Sequence, residues 1–497
     1  MTFLSAETVN RRELLKNLGF GLSAGLVLPP LLSSCKDEDP APKTDYEGTV
    51  AIVGAGAAGL YAADILKAKG IKVVIFEASD RVGGRVRSLK STDKASQSLI
   101  FNSTSQLGSD FPNELGAAFV PGADSAWGRF IEQLKIATVN VTNSAQDSYV
   151  VDGVLKTAGD LASDSDFIAA KAFCDDLVTQ SGTGTVQAAI EAAGINSRMH
   201  GILNAWIGNK YSTSNDRLGM PQLRDSLSMR NRSSELLTLM DNPMQDALLS
   251  RFSKVVTDVL TNHQVKRIDH SGPTVVIEGI NSSSGESFTM TAEKVIVTVP
   301  VSILKDGDIT FSPALPAAKS TALSTMEMDA SVRVLLDFKA NFWGESSGFL
   351  YGAAEAPEYF SSGVGRSDMG ARTLAVTLSG AKALSYSAMG RNMIPLLIDE
   401  LNALFDGKAT NHIRVDPGDN MVAVIQDWTT EPFIRGGVSY SKPGGTNQHR
   451  KDLSTSVAGK LFFAGEATDF TGEFGTINGA LLSAERAAAE VAQVIGV

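Results

Sequence analysis

Gly54, Gly56 and Gly59 stand at GxGxxG spacing, and Glu77 follows 18 residues after the last of them. Glycines so placed permit a tight turn, close approach of backbone to a phosphate, and close packing of a helix on a strand. A carboxylate downstream can accept hydrogen bonds from ribose hydroxyls. The chemistry indicated is a grip on a dinucleotide. The motif gains force from the elements that must position it. Thr49–Val53 is a short apolar run with β-branched residues and reads as a buried strand. Residues 57–69 are rich in Ala and Leu and read as a helix stopped by Gly70. Ile71–Phe76 reads as a second strand ending at Glu77. The helix start then offers free N–H groups and a positive dipole end to phosphate.

That unit leaves NAD and FAD both open. Arg81-Val-Gly83-Gly84-Arg85 bears on the choice: a second glycine pair allows another close backbone approach, and Arg85 brings a fork of donors for phosphate or flavin. At the other end of the chain, residues 460–464 read as a buried strand running into Gly465-Glu466. Gly475-Thr476-Ile477-Asn478-Gly479-Ala480 then opens a helical stretch from Leu481 to Ile495. A carboxylate at a strand end, followed by a glycine-led helix start, suits a ribityl chain and an electron-poor flavin ring. The sequence therefore points to FAD, in a Rossmann-type site assembled from both ends of the chain.

The composition narrows the rest. A chain of 497 residues is expected to form two packed domains. A net charge of −11 and the lack of a dense Lys/Arg block argue against a nucleic-acid partner. Cys35 and Cys174 fit neither a zinc pattern nor a disulfide framework, and five scattered histidines show no ligand spacing. A metal or a Ser-His pair is not indicated, which leaves the hard chemistry to the cofactor.

The first 48 residues read as an address. Arg11-Arg12 is a twin arginine, followed by an apolar stretch from Leu18 to Leu32 that is too short to span a membrane. Leu32-Ser-Ser-Cys35 resembles a lipobox, so residues 1–35 are expected to be a signal peptide with Cys35 lipidated, and residues 36–48 a tether. Export through the twin-arginine route suits a protein that folds around its flavin first. The expected location is the cell envelope, anchored to the membrane by the lipid.

Taken together, Gly54–Gly59, Glu77, Gly83-Gly84-Arg85, Glu114-Leu-Gly116-Ala117, Val295–Pro300, Asn341-Phe-Trp343, Trp428, Phe463–Glu466 and Gly475–Ala480 resemble the flavin-containing amine oxidases. These include monoamine, polyamine and L-amino-acid oxidases and their lysine-demethylase relatives. The resemblance runs from about Thr49 to Val497 and is loosest from Asp124 to Leu260. It implies an α/β fold with a discontinuous FAD-binding domain (49–124, 251–325 and 455–497) and an α+β substrate-binding domain (125–250 and 326–454). It implies FAD contacts at Gly54, Gly56, Ala57, Ala58, Gly59, Glu77, Ala78, Gly83, Gly84, Arg85, Val265, Trp428, Gly465, Glu466, Thr476 and Ile477. Arg333 and Tyr440 are the catalytic candidates.

The implied reaction moves a hydride from the carbon beside an amine nitrogen to flavin N5. Water hydrolyses the imine, and dioxygen takes the electrons as hydrogen peroxide. The substrate would be an amine or amino acid. Three features depart from the family pattern. Arg333 replaces the flavin-side lysine; it is expected to stabilise charge in the oxygen reaction, with a hold on an anionic substrate group as the alternative. Ser439 and Thr476 stand where monoamine oxidases carry an aromatic cage, leaving Tyr440 as the nearest aromatic. Val438 replaces the cysteine that tethers flavin, so FAD is expected to be noncovalent. The rival readings are a flavin dehydrogenase or desaturase that passes electrons to a quinone, and a surface lipoprotein that keeps the flavin fold without turnover.

Overall fold

The computed structural model describes residues 44–108, 112–142, 146–344, 348–365 and 372–497. The twin arginine, the apolar stretch and Cys35 lie outside the described residues. Thr49–Val53 forms the middle of a five-stranded parallel sheet, in the order Leu461–Phe463, Lys294–Val297, Thr49–Val53, Lys72–Phe76, Val259–Leu260. Strands from the start, the middle and the end of the chain lie side by side, as the separated motifs require. Val50 and Ile52 point into a core shared with the helices Ala57–Ala68 and Ile477–Ile495. Ala51 and Val53 point into a core under the sheet Ser287–Ala292, Val275–Asn281, His263–Asp269 and Thr310–Ser312. Both faces are therefore covered, which explains an apolar run instead of an alternating one.

A second sheet has eight strands, in the order Leu99–Phe101, Ala423–Asp427, Ser331–Asp337, Thr373–Ser379, Glu358–Ser361, Phe349–Tyr351, Ser148–Val151, Val154–Thr157. Its central strand Ser331–Asp337 is buried throughout. Val332, Val334 and Leu336 pack with the helices Gly380–Met389 and Met393–Leu404. Leu335 joins the opposite core, beneath the short helices of residues 165–211. The two-residue period puts Arg333 on the side of Leu335.

The chain crosses between the two sheets more often than the expected boundaries allow. Leu99–Phe101 pairs with Ala423–Asp427 in the second sheet, although it falls within 49–124. Ala126–Gln133 and Met244–Arg251 bury Trp127, Phe130, Met244 and Leu248 in the core of the first sheet, although both fall mostly or wholly within 125–250. The reason is packing: Phe130 meets Tyr61 of the first helix edge-on, with centroids 5.3 Å apart. Among the described residues no helix is long and apolar enough to cross a membrane.

Candidate active site

A cavity of about 300 Å³ opens at the carboxyl ends of the parallel strands and runs to the second sheet. Its first wall is the glycine turn. Gly54 has φ +108° and donates its N–H to Phe76 O at 2.8 Å. A Cβ on Gly54 would lie 2.5 Å from Thr298 Oγ1, whereas one on Gly56 would meet nothing within 4 Å. Gly56 begins the helix without a side-chain cap, so the first amides at Ala57 and Ala58 face the cavity unsatisfied by a cap. Gly59 stands behind the wall: its Cβ would come within 1.9 Å of Gly54 O. It serves helix–strand packing and does not line the cavity.

Glu77 is held at the next strand end. Its Oε2 accepts from Ala55 N at 2.8 Å, and its Oε1 accepts from Ser79 N and Ser79 Oγ at 2.9 and 2.8 Å. Three of about four acceptor positions are taken, which leaves one for a sugar hydroxyl. Ala78, Gly83, Gly84 and Arg85 follow along the same wall. Gly83 donates to Ala55 O at 2.9 Å, which docks the second glycine pair on the first turn. Val265 lines the cavity from the antiparallel sheet. Trp428 lines it too, donating from Nε1 to Leu115 O at 2.9 Å, with the Arg81 guanidinium 5.8 Å from its ring centre.

Gly465, Glu466, Thr476 and Ile477 form the opposite wall. Glu466 differs from the expectation. Both of its oxygens are taken by protein donors: Arg85 Nη1 at 2.8 Å and Ser439 N at 3.1 Å on Oε1, Ser439 Oγ at 2.7 Å and Gly475 N at 2.9 Å on Oε2. The carboxylate that was to meet a ribityl chain instead fastens three segments of the wall. Thr476 likewise spends its hydroxyl on the helix, accepting from Gly479 N at 3.0 Å.

The expectation for Tyr440 is corrected. It is fully buried away from the cavity, on the strand Ser439–Ser441, and its hydroxyl accepts from Arg217 Nε at 3.0 Å. Burial, with Asp329 nearby, pushes its pKa up to about 12. Arg217, which binds that hydroxyl, pairs with Asp329, and Tyr440 does not line the cavity. Ser439 is also buried, bound to Glu466 and accepting from Arg450 Nη1 at 2.9 Å. Val438 does line the cavity, and it offers no thiol. Arg333 lines the cavity from the second sheet and donates to Thr377 Oγ1. Thr298, Ser212 and Thr377 line it without having been foreseen. Thr298 had a readable signal, its place at the carboxyl end of a parallel strand.

Residues 57–207 and 210–492 match the family model of flavin-containing amine oxidoreductases. The chain belongs to that family. The cofactor of this amine oxidoreductase is FAD, and the residues fit it: an uncapped helix start with room at Gly56 suits a pyrophosphate, and Glu77 keeps one free acceptor. Human lysine-specific histone demethylase 2 is 24% identical over 97% of this chain, which spans 58% of that protein's length. L-amino-acid oxidase of Siganus canaliculatus is 25% identical, over 91% of this chain and 87% of the oxidase. Among solved structures, cyclohexylamine oxidase from Brevibacterium oxydans IH-35A superposes with a TM-score of 0.72 at 19% identity, over 90% of this chain and 100% of that one. That likeness concerns the fold alone. Among the described residues no group of three or more His, Cys, Asp or Glu could hold a metal.

Two expectations follow for the amine oxidoreductase's cofactor. Glu77→Ala should weaken FAD binding by about 1–3 kcal/mol, the range for a hydrogen bond to a charged group, as read by FAD titration of the apoprotein. Acid precipitation should leave the flavin in the supernatant, because Val438 cannot form a thioether; flavin in the pellet would show a covalent link elsewhere.

Proposed function

We propose that the protein oxidises an amine or amino acid to an imine. FAD, held by the glycine turn, Glu77 and the wall from Gly465 to Ile477, would supply the hydride acceptor, with dioxygen as the final electron acceptor giving hydrogen peroxide; water would convert the imine to a carbonyl compound and ammonia or a smaller amine. The observation that carries this reading is the cavity's continuity from the glycine turn to Arg333 and Thr377 on the second sheet. A substrate resting on that sheet shares one continuous cavity with the cofactor. The apolar flank at Val438 and Ile477 favours the neutral amine, the form that gives up hydride, without a dedicated base.

The chain's residues otherwise hold and shield. Glu466 and Arg85 join the wall segments, and Trp428 closes the side near Leu115. Peroxide formation during aerobic turnover tests the reading against the quinone-linked alternative. Turnover that needs an added quinone and yields no peroxide would favour a dehydrogenase.

The address is part of the same proposal. A lipoprotein at the envelope would carry its FAD out folded. Cys35→Ala is expected to move the protein from the membrane fraction to the soluble fraction, as followed by flotation. Unchanged flotation would refute lipidation at Cys35.

A further inference from the structure

Charges around the cavity are matched with one exception. Glu77 is held by backbone amides and Ser79, Asp308 by Arg435 at 3.0 Å, Glu431 by Ser98 Oγ at 2.6 Å, and Glu466 by Arg85. No cavity carboxylate is left to hold a second ammonium group on a substrate, among the described residues. Arg333 is the exception. It is 7% exposed, lines the cavity, and has no ion pair among the described residues. Its Nη1 donates to Thr377 Oγ1, and its Nε has no hydrogen-bond partner.

The sheet register explains why this cation stays unneutralised. Arg333 lies opposite Thr377, and Thr377 lies opposite Glu358. The Thr377 hydroxyl accepts from Arg333, and Thr377 sits on the strand between Arg333 and Glu358. The guanidinium is thereby fixed in orientation without touching a carboxylate. Glu358 and Glu114 act on it only at longer range. A buried guanidinium keeps its proton, and one without a direct ion pair retains free donors. A planar fork with free donors matches the two oxygens of a carboxylate.

We propose that Arg333 anchors a carboxylate on the substrate, so that this site takes amino acids in preference to amines that lack an acid group. This rests on the amine-oxidising reading above. It also reassigns the residue: the oxygen reaction, expected from the family's lysine, makes no use of a fork.

Matched pairs that differ only in the carboxylate test it: L-leucine with 3-methylbutylamine, and L-phenylalanine with 2-phenylethylamine. Each is mixed anaerobically with the holoprotein and the half-saturation of flavin reduction is recorded. Binding of phenylpyruvate, read from the flavin absorption without turnover, gives a second measure. The acid member of a pair should saturate at a concentration on the order of 10- to 100-fold lower than its partner. Arg333→Met should erase that advantage and abolish phenylpyruvate binding, and Arg333→Lys should restore part of it.

Equal half-saturation within the wild-type pairs would overturn the proposal. So would an Arg333→Met protein that keeps its phenylpyruvate affinity and instead reoxidises slowly in air. If neither member of any pair reduces the flavin, the amine-oxidising reading fails, while phenylpyruvate binding still decides whether Arg333 holds a carboxylate.

Discussion

Replacing Glu466 by alanine is expected to cost the fold about 3–5 kcal/mol and to leave the purified protein without FAD. Glu466 is 5% exposed and receives four protein donors, from Arg85, Gly475 and the amide and hydroxyl of Ser439. Behind it, Arg450 is fully buried, donates to Ser439 and Ala467, and lies 3.8 Å from the ring centre of Phe474. Removing the carboxylate leaves the buried Arg450 and the partly buried Arg85 without their shared counter-charge. It also unties three segments that face the cofactor. Denaturant unfolding reads the first effect and flavin content the second.

The sign of the acid dependence follows from the same contacts. Burial alone would raise the Glu466 pKa, but Arg85 and Arg450, with hydrogen bonds from Arg85 and Ser439, hold it below the ordinary glutamate value. The unfolded chain therefore takes up the proton first. Stability from Glu466 is fully present above the ordinary value and is lost as pH falls through the lower folded value. The alanine variant should show a shallower loss of stability in acid. An unchanged acid profile and full flavin content would show that Glu466 does not join these walls.

A second large effect is expected at Gly59, and the contrast with Gly56 makes it informative. Gly59→Ala places a methyl 1.9 Å from the Gly54 carbonyl oxygen and 3.2 Å from Thr298 Oγ1. The first obstacle is backbone, so no side-chain movement relieves it. The turn or the helix must shift, at a cost of about 3 kcal/mol or more. Gly56→Ala adds a methyl into open cavity at an ordinary φ of −78°. It should leave the apoprotein's stability intact, or slightly higher, while weakening FAD binding, because the methyl occupies space meant for the pyrophosphate. Thermal melts of the two apoproteins, with FAD titrations, separate the roles. Equal melting of both variants and the wild type would remove the packing role from Gly59.

Much of this was legible in the sequence because local motifs fix local geometry. The GxGxxG turn, the strands at 49–53 and 461–463, and the long C-terminal helix each sit within a few residues of their expected places. Fifteen of the sixteen residues expected at the cofactor line one cavity, with Gly59 behind it. What sequence could not reveal depends on partners far along the chain. Thr377 faces Arg333 only through strand register, and Ser439 turns from the cavity because Glu466 and Arg450 both bind it. Tyr440 follows Arg217 for the same kind of reason. The interleaving of the two sheets was hidden too, since a short strand such as Leu99–Phe101 carries no mark of which sheet it will join.

The most direct test of the account is anaerobic titration of the purified yellow holoprotein with a panel of amines and amino acids, followed by admission of air. The account predicts that at least one of them bleaches the flavin's visible absorption, and that air restores the colour with about one hydrogen peroxide formed per flavin. A flavin that every member of the panel leaves oxidised, in protein that dithionite still reduces, would contradict it.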